Sequence, residues 1–185
     1  MSNSTGRNNM IFTPTTLKGA YIIELEKRED SRGFFARTWD EKEFEAHGIF
    51  RKPVQKNMSY STKKGTMRGM HYQISPYEES KLIRCTKGAI YDVIIDLRKD
   101  SPTFKQWFGV ELNDTNYKML FLSEGFAHGF ITLTDTTEVS YQVSAFYTPG
   151  SEQIIRYNDP QFSIPWPMEV TEITDKDKNQ ADYTG

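Results

Sequence analysis

Cysteine is nearly missing from this 185-residue chain: Cys85 stands alone, so no disulfide can close within it and no cysteine-cluster zinc site can form. A solitary thiol suits a reducing compartment, and the cytoplasm is the expected location. Histidine is almost as scarce, with His47, His71 and His128 making up the set, which limits the metal chemistry available. A basic excess is also lacking. Lys and Arg number 23 against 25 Asp and Glu, for a net charge of −2, which argues against a nucleic-acid partner gripped through its phosphates. No apolar run approaches the ~18 residues that would suggest a membrane span. The opening MSNSTGRNNM has no apolar stretch of a secretory leader. Residues 1–10 are expected to form a disordered start, with Met10 a candidate initiator. There are no internal repeats and no Gly-x-Gly-x-x-Gly dinucleotide fingerprint.

Aromatic residues, by contrast, are plentiful: twelve Phe, ten Tyr and three Trp make 14% of the chain, which leans towards β structure. Against a prior of ~150 residues per domain, residues 11–185 are expected to form one domain. DEKEFEAHG at 40–48 reads as a short peripheral helix, with Asp40 as its cap, Glu43 completing a capping box and Gly48 ending it. Strands are expected at 19–25, 66–74, 107–112, 118–122 and 129–134. A hairpin is expected from 81–85 to 89–97 through Thr86-Lys87-Gly88. EVSYQVSAF at 138–146 alternates, with Val139, Tyr141, Val143 and Ala145 on one face. Many short strands joined by turns indicate an all-β jelly-roll barrel. The polar stretch 171–185 reads as an excursion or tail.

His71 lies in TMRGMHYQ, with Met67, Gly69 and Gln73 on its face by period two, and Gly69 leaves room beside the imidazole. His128 lies between Gly125 and Gly129, which suggests a tight turn into a strand. Either histidine can equally be a satisfied core residue. The spacings around them approach those of metal-binding jelly rolls, but Gln73 stands where a second imidazole is expected, and an amide is a poor transition-metal ligand, so no metal is predicted. Lys81 alone reads as a solvated strand start, Tyr141 as a core residue with a hydrogen-bond partner, and Arg32, Arg68 and Arg84 as surface decoration or phosphate contacts.

Taken together, DSRGFFART (30–38), QKNMSYSTKKGTMRGMHYQ (55–73), KLIRCTKGAIYDVIIDLRKDSPTF (81–104), EGFAHGF (124–130) and YNDPQFSIPWP (157–167) resemble the dTDP-4-dehydrorhamnose 3,5-epimerase family, a cupin-like jelly-roll group, in family order over about residues 11–180. The resemblance implies a catalytic base at His71, its carboxylate partner at Asp177 (with Asp175 as a fallback), a general acid at Tyr141 and a lysine at the sugar's keto oxygen at Lys81. It implies a nucleotide-sugar site at Arg32, Gln55, Asn57, Arg68 and Tyr147, with His128 in the barrel. Arg37, Ser123 and Tyr157 depart from the family pattern, which has glutamate, proline and tryptophan there.

The implied chemistry suits these groups. A 4-ketone acidifies the protons on carbons 3 and 5, so inversion needs a base on one face and an acid on the other. Imidazole titrates near neutral pH, and a lysine can stabilise the enolate oxygen by ~3 kcal/mol, the scale of one good oxyanion donor. No redox step occurs, so no cofactor is expected. A homodimer is expected from the family and from strands such as Thr66–Ile74 that carry apolar residues on both faces. The alternatives are a single-site 3- or 5-epimerase on another dTDP- or CDP-linked 4-keto sugar, a cupin ketoisomerase, and a sugar-binding or metal cupin without this activity.

Overall fold

In the computed structural model, which describes residues 10–185, almost every regular element is a strand, because short β-branched and aromatic runs are broken by turns before a helical period can build up. One sheet has six strands in the order β1 (Met10–Pro14), β2 (Ala20–Leu25), β10 (Met119–Leu122), β7 (Lys81–Lys87), β12 (Thr137–Val143), β5 (Gln55–Ser61). The other has five: β13 (Glu152–Ile154), β6 (Met67–Gln73), β11 (Phe126–Thr132), β8 (Ala89–Asp96), β9 (Trp107–Asn113). A small hairpin, β3 (Arg28–Asp30) with β4 (Gly33–Phe35), stands apart from both. The inward residues of the two sheets, among them Ile83, Leu120 and Val139 facing Ile90, Ile94 and Phe126, make the central core of this cupin-like jelly roll.

Each sheet is also covered over part of its outer face. The helix α1 (Glu41–Ala46) presses Phe44 onto Ile23, Met119 and Phe121 of the larger sheet. The chain from Ile155 through Trp166 lies over Met70, Val93 and Ile95 of the smaller one. Of the apolar second face of the expected strand Thr66–Ile74, Met70 and Tyr72 are therefore covered by this chain's own C-terminal segment, while Ile74 stays 43% exposed.

Several expectations are corrected. β7 and β8 are not a hairpin but lie in different sheets, β7 pairing with β10 and β12 and β8 with β9 and β11. Gly88, at φ 75, makes the corner, and the same turn chemistry serves either connection. Glu43 does not complete a capping box: Asp40 accepts from the Lys42 and Glu43 amides, while the Glu43 carboxylate accepts from the Met10 N–H at 2.7 Å. Met10 is thus an ordered, buried strand residue rather than the end of a disordered start; residues 1–9 of that expectation lie outside the described residues. Residues 171–185 are no tail. Thr171 and Glu172 bond to Gly65 and Met67, and the helix α2 (Asp175–Lys178) docks beside β6. β11 begins at Phe126, so His128 sits within a strand, not in a turn.

Candidate active site

A cavity of about 480 Å³ opens between the two sheets, and His71, Asp177, Lys81, Tyr141, Arg68 and His128 all line it. The smaller sheet supplies Arg68 and His71 from β6 and His128 from β11; the larger supplies Lys81 from β7 and Tyr141 from β12. The chemistry-bearing side chains thus come from two facing walls.

β6 reaches the cavity by an irregularity that alternation does not show. His71 pairs with His128, but Arg68 pairs with Phe130, so Gly69 and Met70 together oppose Gly129. This bulge lets Arg68 and His71, three residues apart, face the same space. Gly69 leaves no room for a ligand. A Cβ on it would lie 2.5 Å from the Gly129 Cα and 2.7 Å from the His128 carbonyl oxygen, because the two backbones meet there. Gln73 is turned to other work: its amide nitrogen donates to the Tyr77 and Phe146 carbonyls, and its oxygen accepts from Thr148 N–H and Ser151 Oγ. It ties β6 to the loops before β7 and β13. Among the described residues, no group of three or more His, Cys, Asp or Glu is arranged to hold a metal.

His71 Nε2 lies 2.7 Å from Asp177 Oδ1. Thr174 caps α2 and aims Asp177, which is buried, at the imidazole, whereas Asp175 is exposed. Burial works against the Asp177 charge. Bonding and attraction to His71, the Gly69 N–H and the Thr174 hydroxyl outweigh it, so the carboxyl lies below its usual range. Tyr141 is pushed the other way, above the usual phenol range, by burial first and then by Glu79 and Glu152. Its place beside Val139 and Val143 on the inner face follows the alternation. Lys81 is no solvated strand end: it is 7% exposed, and its Nζ lies 3.1 Å from Glu79 Oε1.

His128 is buried too, its Nε2 2.9 Å from both oxygens of Asp92. Asp92 was missed in the sequence, although the signal was there: a carboxylate interrupts the inward series Ile90–Asp92–Ile94 in the apolar run IYDVIID. Burial raises its carboxyl above the usual range, against the pull of His128 and Lys81.

The remaining expected residues sit further out. Asn57 is opposite Tyr141 on the edge strand β5 and exposed. Gln55 Oε1 accepts from the Tyr147 N–H at 2.8 Å, which joins those two at the rim. Arg32 is not brought to the cavity within this chain: it lies in the turn of the β3–β4 hairpin, 88% exposed, paired with Asp30.

Residues 14–184 match the family model described as dTDP-4-dehydrorhamnose 3,5-epimerase. A curated relative of that name from Shigella flexneri is 42% identical over 176 residues, 91% of this chain and 96% of the relative. The crystal structure of the Bacillus anthracis enzyme of the same name, with TDP and PPi bound, superposes with a TM-score of 0.90 at 42% identity, covering 94% of this chain and 99% of that one. The Legionella pneumophila dTDP-6-deoxy-D-glucose-3,5-epimerase, in complex with dTDP-4-keto-L-rhamnose, gives a TM-score of 0.85 at 39% identity, covering 91% and 90%. With its jelly roll, its His71–Asp177 pair and a match running nearly end to end, this chain belongs to the dTDP-4-dehydrorhamnose 3,5-epimerase family.

Proposed function

We propose that this protein epimerises a dTDP-linked 4-keto-6-deoxy sugar at carbons 3 and 5, by removing and returning protons through an enolate. The observation that carries the reading is the split of the cavity: the His71–Asp177 pair is on the smaller sheet's wall, and Tyr141 and Lys81 are on the larger sheet's. Inversion at carbon requires that geometry, since the proton must leave one face of the ring and arrive at the other.

In this mechanism neutral His71 takes the proton from the carbon beside the ketone, and Asp177 stabilises the resulting imidazolium. The Lys81 ammonium faces the oxygen on which the enolate charge develops. Tyr141, held protonated by its surroundings, delivers a proton from the opposite wall and regains one from solvent, to which His71 gives up the proton it took. Arg68, Gln55, Asn57 and Tyr147 would hold the nucleotide end, the guanidinium suiting a pyrophosphate.

The protein would act as a homodimer. Arg32 and the exposed Phe34 and Phe35 of the β3–β4 hairpin, together with the open edge of β5 bearing exposed Met58 and Tyr60, are the surfaces a second copy would cover. A neighbour's hairpin would then bring its Arg32 towards the nucleotide end. A monomer mass by light scattering at micromolar concentration would count against the dimer.

The test of the reaction is incubation with dTDP-4-keto-6-deoxyglucose in deuterated water, followed by NMR at carbons 3 and 5. Deuterium with inversion at both positions is expected. Incorporation at one carbon alone would reduce the reading to a single-site epimerase, and incorporation at neither would overturn it.

A further inference from the structure

Beside the site stands a half-buried carboxylate, Glu79, that has no part in this mechanism. Glu79 lies in the segment entering β7, its side chain 12% exposed, with Oε1 3.1 Å from Lys81 Nζ and Oε2 3.5 Å from Gln73 Nε2. The backbone around it is fixed on both sides. Ser80 N–H donates to Ser144 Oγ at 2.8 Å, and Ser144 N–H donates to the Ser80 carbonyl at 3.1 Å. Glu79 is thereby tied between the start of the strand that carries Lys81 and the end of the strand that carries Tyr141.

At first sight a carboxylate touching the lysine that faces an enolate opposes catalysis. Two considerations reverse this. An ammonium that is 8% exposed on a four-carbon stem is costly to leave unpaired and free to adopt many rotamers; a fixed carboxylate supplies the counter-charge and selects one placement. Moreover, an acid that acts second must keep its proton while the first is being removed, and a negative charge nearby favours that.

We propose that Glu79 is a positioning residue for the proton-returning wall, holding the Lys81 ammonium in one place and setting the charge that Tyr141 faces. The inference rests on the epimerase reading above. The charged and titratable groups around Tyr141 and Lys81 are Glu79, Arg68 and His71 of β6, Asp92 of β8, His128 of β11, Glu152 of β13, and Glu172, Lys176 and Asp177 of the C-terminal segment. After burial, Glu79 is the largest influence raising Tyr141; Glu152 acts in the same direction and Arg68 against it.

Glu79→Gln keeps the volume and an acceptor for Lys81 but removes the charge. The expected result is a kcat ~10-fold lower with KM changed less than ~threefold, the scale of losing a group that orients a catalytic one. The alkaline limb of kcat should move to lower pH, because the charge that raised Tyr141 is gone. Glu79→Asp keeps the charge, so its limb should stay at the wild-type position even where kcat falls. Glu79→Ala replaces the glutamine variant if that one does not fold, with the same limb expected. Wild-type kcat and limb in the glutamine variant would overturn the proposal. So would equal losses in the glutamine and aspartate variants with no movement of the limb, and so would failure of both uncharged variants to fold, since each points to a structural role alone. If wild-type enzyme fails to turn over dTDP-4-keto-6-deoxyglucose, the epimerase reading fails; if it succeeds and Glu79→Gln equals it, only this inference fails.

Discussion

His71–Asp177 and His128–Asp92 are the same chemical pair, the first joining a strand to the helix α2 and the second joining the neighbouring strands β11 and β8, and their surroundings differ. His71 is 31% exposed, and its carboxylate arrives on a separate segment with a second set of donors, the Gly69 N–H and the Thr174 hydroxyl. His128 is 9% exposed, and Asp92 is fully buried, with His128 in contact and Lys81 acting from further away. As a result the two aspartates are displaced in opposite directions, Asp177 downward and Asp92 upward. Pairing a histidine with a carboxylate does not by itself make a proton carrier. It takes enough donors to keep the carboxylate ionised and enough access for the ring to meet substrate. The first pair has more of both, which supports the role proposed for His71, while the second lies deeper in the wall of the same cavity.

The sharpest way to break this comparison is to remove each imidazole in turn. His71→Ala should abolish turnover and solvent deuterium exchange together, a loss of ~10³-fold or more at the upper range for a positioned base, with the smaller loss of stability of the two because the Gly69 N–H and the Thr174 hydroxyl still hold Asp177. His128→Ala should do the reverse in emphasis, destabilising the protein by about 3–5 kcal/mol because Asp92 is left buried without its partner. Urea denaturation alongside steady-state kinetics reads both. Full activity in His71→Ala would remove the distinction and the mechanism with it.

Tyr141→Phe comes next. It retains the ring and its packing against the central core beside Val139 but loses the hydroxyl. Inversion should fall ~100-fold, the usual scale for a positioned acid, while exchange at the first carbon survives, since His71 can return a deuteron to the face it came from. Equal loss of exchange and inversion, with the circular dichroism unchanged, would show that Tyr141 is not the far-face acid.

The two pairs also differ in how far they were legible before the structure. The alternation Val139–Tyr141–Val143 and the Asp40-capped helix read correctly because their signals are local: side-chain period in one, a cap and a terminating glycine in the other. The family motifs placed His71 and Asp177 together across more than a hundred residues, something no local pattern encodes. Composition taken alone makes the Asp177 segment an excursion or a tail, since nothing in TDKD shows that one carboxylate is buried. The β6 bulge was invisible because it depends on Gly129 of another strand facing Gly69. The Gly88 corner was misread because a glycine with positive φ serves a hairpin and a crossing between sheets alike. Asp92 was readable and overlooked: a charge in the inward series of a central strand must have a buried partner.

The smallest effect expected is also the most direct comparison of the pairs, and it is a difference in slope. A group whose folded pKa is lowered contributes stability that is complete above its unfolded value, about pH 4 for aspartate, and is lost as pH falls through the folded value. Asp177 is such a group. A group whose folded pKa is raised contributes stability that is complete below about pH 4 and is lost as pH rises through the folded value. Asp92 is that case. Asn can accept a hydrogen bond in either position, so Asp177→Asn and Asp92→Asn isolate the charge from the contact. Relative to wild type, the melting temperature of Asp177→Asn should be lower above about pH 4 and converge on wild type as the solution is acidified further. That of Asp92→Asn should rise relative to wild type as pH increases above about 4. Each difference should be about 2–4 °C, the shift that ~1 kcal/mol produces in a protein of this size. Calorimetric scans of the three proteins from pH 3 to 8 measure it. Parallel curves would mean that the two carboxylates are held alike, and the contrast between a working pair and a wall pair would then have to rest on exposure alone.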